Sequence, residues 1–351
     1  MNQAVALLVP PGLPATAGNL VSARRLATWL GRVGVRAEIL EAGRRLAVPL
    51  GCGVIHALHA LQAGEPARVL ARRAGLPLMV TLTGTDLNQG DTPALWQVVS
   101  HAAAVITYHP EARDIFIRRL PDLSTPVEVI PPGVDTLVPG PRQRSLWGWG
   151  PGEVVFLLAS GLRQVKNPGF AVGLLADVRA KGLPLRLAVA GPVREDSAAQ
   201  ALQQAISHLP WASYLGEVPH ERMGQLYRAA DVILNTSRSE GLSNAVLEAM
   251  AAGRPVLAAD IAGNRAALRH LQDGILYRDR ADFIRWAELL ATSPWVRARL
   301  GTAARRAAAA RFSPLAEAQA YQNLYRRLGG PQESSNQSTY LDGTARSSPP
   351  G

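Results

Sequence analysis

Two glutamates eight positions apart, Glu240 and Glu248, bracket a helix-prone run that opens with Gly241 and Ser243, in the stretch RSEGLSNAVLEAMAAG over 238–253. A carboxylate accepts hydrogen bonds from hydroxyl groups, and the free amides of a helix N-terminus, backed by its dipole, favour a phosphate-like anion. Were the segment helical throughout, a rise of about 1.5 Å per residue would set the carboxylates roughly 12 Å apart. That spacing suits an elongated anionic ligand: a ribose for one carboxylate, a diphosphate for the helix start, a sugar for the other. Taken alone, the pair also has a plainer reading, with Glu240 solvating a helix end and Glu248 in a surface ion pair.

Cations for such a diphosphate stand in Gly161-Leu162-Arg163-Gln164-Val165-Lys166-Asn167-Pro168. Arginine offers a planar fork and lysine a compact point charge. The chain has two lysines against 35 arginines, so Lys166 departs from its habit. The alternative is an exposed loop in which Asn167 caps and Pro168 opens the next helix. In the first half, Thr16-Ala17-Gly18-Asn19 makes a small-residue turn that would let phosphate or sugar approach. His56 and His59 end a strand-like run, and His59 is the candidate for lining a cleft, a buried structural role being the alternative. Thr83-Gly84-Thr85-Asp86 is a polar cluster suited to acceptor binding, to acid–base work or to a capped turn.

The elements that must position these residues are legible as alternation. Strand-like runs at 4–9, 35–40, 54–59, 78–83, 103–108 and 127–131 are separated by longer amphipathic segments, the first helix lying near 19–33. The pattern resumes with strands at 154–160, 185–191, 213–218, 231–237 and 255–259, with helices after Asn167-Pro168, near 197–208 and at 220–230, 281–292, 295–311 and 314–328. Strands alternating with helices predict parallel sheets covered on both faces, here two doubly wound, Rossmann-like α/β domains facing across a cleft. The expected division is an N-terminal domain over 1–136, a Pro/Gly-rich linker over 137–153, a C-terminal domain over 154–312, a helix over 313–330 free to cross back, and a tail over 331–351 too poor in apolar residues to fold. Open α/β sheets bind ligands beyond the carboxyl ends of their strands, where all these motifs fall.

Composition narrows the partners. The net charge of +10 reads as an Arg-rich solvated surface, and 5% aromatic residues with no basic stripe interleaved among them argue against nucleic acid. Cys52 is the lone cysteine, so an internal disulfide and a thiolate zinc cluster are excluded, and a reducing, cytoplasmic setting is expected. No apolar run approaches the roughly 18 residues of a membrane span, which leaves peripheral membrane contact open. Ala4–Val9 reads as a strand and not as the core of a signal peptide.

GLRQVKNP, NTSRSEGLSNAVLEAM and IAGNRAAL, with AGNLVSARRLATWL and LTGTDLNQG in the first half, resemble the GT-B glycosyltransferases of the retaining family-4 type, in particular the vertebrate branch called glycosyltransferase 1 domain-containing. The TGTDL stretch is also similar to bacterial selenosugar synthases. The resemblance runs over about residues 3–328. It implies transfer of a sugar from a nucleotide-sugar donor, with UDP the expected nucleotide, to an acceptor that stays unidentified, with retained configuration and without a metal or other cofactor. Arg163 and Lys166 would neutralise the diphosphate, Glu248 would bind ribose, and Glu240 with Gly241, Leu242, Ser243 and Asn244 would contact the donor. Gly18 and Asn19 would approach the donor from the other domain, and the loop after Gly216, around Val218, would meet the base. Many members carry a His-Asp pair where this chain has Thr85-Asp86, so Asp86 matches the catalytic pattern and the histidine does not, with His59 a candidate substitute. That departure leaves open a nucleotide-sugar binding or regulatory protein without catalysis, and the TGTDL similarity leaves open a transferase acting on selenium or sulfur.

Overall fold

The computed structural model describes residues 4–44, 46–88, 92–136 and 140–329. The first half runs β1 (Ala4–Val9), α1 (Gly18–Arg32), β2 (Arg36–Glu41), β3 (Cys52–Ala57), α2 (Ala60–Ala74), β4 (Leu78–Thr81), α3 (Gly84–Asn88), α4 (Pro93–Val99), β5 (Ala104–Thr107), α5 (Pro110–Arg119) and β6 (Val127–Val129). The second runs β7 (Val154–Ala159), α6 (Pro168–Arg179), β8 (Leu185–Ala190), α7 (Asp196–Ile206), β9 (Ala212–Tyr214), α8 (His220–Ala229), β10 (Val232–Asn235), α9 (Asn244–Ala251), β11 (Val256–Ala259), α10 (Ala262–Ala267) and β12 (Ile275–Tyr277). Helices α11 (Arg280–Thr292), α12 (Pro294–Arg311) and α13 (Pro314–Gly329) follow.

The strands form two six-stranded sheets, ordered β2-β1-β3-β4-β5-β6 and β12-β11-β10-β7-β8-β9, and every pairing is parallel. Each sheet is buried on both faces, which is why its strands read as continuous apolar runs. In β1, Ala6 and Leu8 enter one core while Val5, Leu7 and Val9 enter the other; in β7, Val155 and Leu157 part from Phe156 and Leu158 in the same way. The chain reverses its winding between β1 and β3 in the first sheet and between β7 and β10 in the second. Those switch points open crevices beyond the strand ends, and the loops after β7 and β10 carry Arg163, Lys166 and Glu240.

Helix α13 packs on the first sheet, although it follows the second in sequence. Ala318, Tyr321, Leu324 and Tyr325 join the core built by β1, α1 and β3. Its Tyr325 hydroxyl meets His56 Nδ1 at 2.8 Å, and His56 Nε2 meets Thr81 Oγ1 at 2.7 Å, so His56 is wholly buried in a structural network.

Short elements depart from the sequence reading. The strand expected over 213–218 stops at Tyr214, and that over 78–83 stops at Thr81; Leu215 and Leu82 each make one more bond to the neighbouring strand before the chain turns away near Gly216 and Gly84. Strand β12 was not anticipated: three residues give too little periodicity to register. From Gly140 onward the Pro/Gly-rich stretch lies against the second half, with Trp149 buried in its core and Arg142 and Arg144 both bonded to Asp231. Residues 137–139 and the tail expected over 331–351 lie outside the described residues.

Candidate functional site

The loop after β7 and the loop after β10 are stitched together by backbone. Arg238 N donates to Val165 O at 2.8 Å, and Thr236 Oγ1 donates to the carbonyls of Lys166 and Asn167 at 3.0 and 3.2 Å. Asn167 adopts the left-handed conformation at φ 53°, which asparagine tolerates, and so turns the chain into Pro168 at the start of α6. This geometry delivers Lys166 Nζ to 2.5 Å from Glu240 Oε1. Ser237 Oγ donates to the same oxygen at 2.8 Å and Asn235 Nδ2 lies 3.3 Å from it. Burial would push the Glu240 carboxyl up, but the Lys166 charge and these hydrogen bonds outweigh it and hold the group below the usual carboxylate range.

Glu240 therefore belongs to a loop folded back on Asn235, and the helix begins only at Asn244, so the helical spacing expected between the two glutamates does not apply. Ser243 N-caps α9 but leaves its amides without a side-chain cap, because its hydroxyl accepts from Asn235 Nδ2 at 3.2 Å. Those amides keep the anion-binding character of a helix start. One turn into α9, Glu248 accepts from the Tyr227 hydroxyl at 2.9 Å. Burial pushes Glu248 up, against the pull of that hydrogen bond. Arg163 is half-buried at the start of the 164–166 turn, and its guanidinium has no hydrogen bond or ion pair among the described residues.

The first half closes over this loop. Asn244 Nδ2 donates to Gly18 O at 3.3 Å and Ser22 Oγ at 3.0 Å, so Asn244 and Gly18 join the halves. Gly84 and Gly241 touch so closely that a Cβ on Gly84 would stand 2.5 Å from Gly241 N, and one on Gly263 would stand 2.6 Å from Glu240 O. His109 reaches across from the end of β5: its Nδ1 accepts from Ala112 N at 3.1 Å, which leaves Nε2 to donate to Gly241 O at 2.9 Å. Burial lowers the His109 pKa and keeps this tautomer neutral. Asn19 lines a small cavity with Ser22, Thr83, Tyr108, Glu317 and Tyr321.

Burial narrows what several of the residues named from the sequence can do. Asp86, expected to be catalytic, is 1% exposed and has both oxygens committed: Oδ2 accepts from the amides of Ala60 and Thr83, and Oδ1 from Leu61 N and from His59 Nδ1 at 2.7 Å. Those donors hold its carboxyl low despite burial, and it positions the α2 and α3 termini without facing the cleft. His59 is likewise buried as its partner, at the N-cap position of α2 with its ring held by Asp86, and does not line the cleft. Val218 is buried in the second half's core, so only backbone near it can meet a base, and Leu242 packs its side chain on that same core. Thr85 stays half-buried in α3.

Sequence reasoning missed Tyr227, Asn235, Ser237 and His109 as partners of the site. Tyr227 and His109 arrive from other elements and nothing in their local spacing marks them, whereas Asn235 and Ser237 lie in the NTSRSEGLSNAVLEAM stretch just before Glu240. Asn264 carries a similar signal: it sits in the IAGNRAAL stretch, is fully buried, and donates to Asn235 Oδ1 at 3.2 Å and Ala259 O at 2.9 Å.

The fold and parts of the sequence recur in known proteins. Residues 153–292 match the family described as glycosyl transferases group 1. The chain is 25% identical over 271 residues to glycosyltransferase 1 domain-containing protein 1 of Xenopus tropicalis, covering 72% of this chain and 77% of that one. It is 28% identical over 267 residues to the D-inositol 3-phosphate glycosyltransferase of Rhodococcus erythropolis, covering 69% of this chain and 60% of the relative, so the match spans less than two thirds of that protein. Among solved structures, sucrose-phosphate synthase from Thermosynechococcus elongatus superposes with a TM-score of 0.77 at 18% identity, over 93% of this chain and 99% of that one. Anabaena Alr3699/HepE, solved in complex with UDP and glucose, gives 0.73 at 19% identity over 93% of this chain and 100% of the other. The fold is thus that of the GT-B glycosyltransferases, and residues 153–292 are similar to the glycosyl transferases group 1 family.

Proposed function

We propose that the chain transfers a sugar from a nucleotide-sugar donor, a UDP-sugar, to an acceptor hydroxyl with retention of configuration. The observation that carries this reading is the meeting of Lys166 with Glu240 at the β7/β10 switch point, directly before the uncapped start of α9. A donor diphosphate at that start would draw on the α9 amides, the unpaired Arg163 and Lys166. Glu240 would hand part of its hold on Lys166 to the phosphate and turn to the sugar hydroxyls. Glu248, deeper in α9, would accept from the ribose.

In the reaction the sugar–phosphate C–O bond breaks and its electron pair leaves with the diphosphate. The acceptor oxygen forms the new bond, and its proton passes to the departing phosphate. Negative charge builds on that phosphate in the transition state, where fixed cations and amides stabilise it most. This supply of positive charge supports a transfer that needs no metal. The solved neighbour holding UDP and glucose supports the choice of nucleotide. No helix among the described residues is long and apolar enough to cross a membrane.

The test is a thermal-shift panel of UDP-, GDP- and ADP-sugars, because a ligand that binds only the folded state raises the apparent stability. A UDP-sugar is expected to raise the melting temperature, with release of UDP in the presence of a suitable hydroxyl acceptor. Absence of any shift across the panel would overturn the donor assignment.

A further inference from the structure

A second cavity lies at the opposite end of the second sheet. It has a volume of about 380 Å³ and is lined by Arg142, Arg254, Arg297 and Arg305, with Asp231 as the one acidic residue. Asp231 immediately precedes β10, whereas Asn235 and the Lys166–Glu240 pair stand at the far end of that strand. At about 3.3 Å per residue, four residues separate the two ends by roughly 13 Å.

The charge there does not balance. Both oxygens of Asp231 are taken, Oδ1 by Arg142 at 2.6 Å and Oδ2 by Arg144 at 2.9 Å and by Val155 N at 2.8 Å. Arg254 donates to the carbonyl of Ala230 and Arg297 to that of Ala291, both neutral acceptors that leave the charge uncancelled. Arg305 is exposed and has no hydrogen bond or ion pair among the described residues. Burial, reinforced by repulsion from Arg142, pulls Arg254 and Arg297 below the usual arginine range. The amino end of α12, at Pro294, adds its positive dipole to the same wall. Gly301 on α12 lets the helix pack directly on the backbone at Gly253, which fixes that wall of the cavity.

We propose that this cavity binds a small phosphorylated anion, separately from the cleft. Guanidinium forks match phosphate oxygens two at a time, and the volume falls in the range of small-ligand sites, about 300–1,000 Å³. A bound phosphate would supply the negative charge that the single carboxylate cannot.

Hydrogen exchange read by mass spectrometry on the full chain tests this, with sodium pyrophosphate as the probe and sodium chloride of equal ionic strength as the control. Pyrophosphate is expected to slow exchange over 252–255 and 294–305, a region the cleft does not include. Arg305→Glu removes a side chain with no partner in the fold, and should raise the concentration needed for that protection at least tenfold. Arg297→Gln, a milder change, should raise it in the same direction. Protection confined to 160–168 and 236–248, protection matched by chloride, or cavity protection indifferent to Arg305→Glu would each overturn the proposal.

Discussion

Lys166 Nζ stands 2.5 Å from Glu240 Oε1, with 14% and 9% of the two side chains exposed, so the chain holds a nearly buried ion pair at the mouth of its cleft. Removing the cation strands a carboxylate that is already bound by Ser237 and Asn235. Lys166→Ala should cost about 3 kcal/mol in urea unfolding, because a buried charge left without its partner costs far more than the intact pair contributes. Turnover should fall at least a hundredfold, and measured UDP release at the wild-type rate would dismiss the role given to Lys166. The sign with pH follows from Glu240: its folded pKa lies below 4.5, so the pair's contribution is present above that value and is lost as the pH falls through the folded pKa.

His56 makes a second pH statement. Burial lowers its pKa to about 3 from 6.5, so below pH 6.5 the unfolded chain takes up a proton that the folded chain refuses. Stability from this group is therefore complete above pH 6.5 and falls as the pH drops toward 3, by about 2 kcal/mol between pH 7.5 and 5. Urea midpoints at the two pH values measure it. His56→Gln should flatten that part of the dependence, and an unchanged slope in the variant would reject the assignment.

Gly84 and Gly241 interlock the halves without room for a methyl group, since the added Cβ would press on backbone. Gly84→Ala is expected to lower kcat/KM at least tenfold while altering urea stability by less than about 1 kcal/mol. Gly31→Ala is the control, because nothing lies within 4 Å of its added Cβ. Equal kinetics for the two variants would mean that the close approach has no part in the reaction.

Asp86 separates a structural carboxylate from a catalytic one. Asp86→Ala leaves the amides of Ala60, Leu61 and Thr83 and the ring of His59 unpaired in the interior, at a cost of about 3–5 kcal/mol. Asp86→Asn should lose less, and its turnover per folded molecule should drop by less than tenfold. A thousandfold drop in turnover with an unshifted urea midpoint would return Asp86 to the reacting groups.

The strands, the long helices and the placing of Arg163, Lys166, Glu240 and Glu248 after strands or within a helix were legible in the sequence, because each follows from local periodicity and from turn residues within a few positions. The pairing of Lys166 with Glu240 could be expected only as convergence on one ligand. Their 74-residue separation is closed by β10 lying beside β7, an order that no local pattern encodes.

What only the tertiary structure decided is what each side chain has left to give. Asp86 and His59 read as reactive from their types, yet burial and helix capping consume them. Val218 sits in a loop but fills a core, Tyr227 lies on an ordinary amphipathic helix but holds Glu248, and His109 caps one half while donating to the other. Residue type sets which bonds a group can make; the packing of distant elements sets which of those bonds are already made in the folded chain, and short-range sequence carries no record of that.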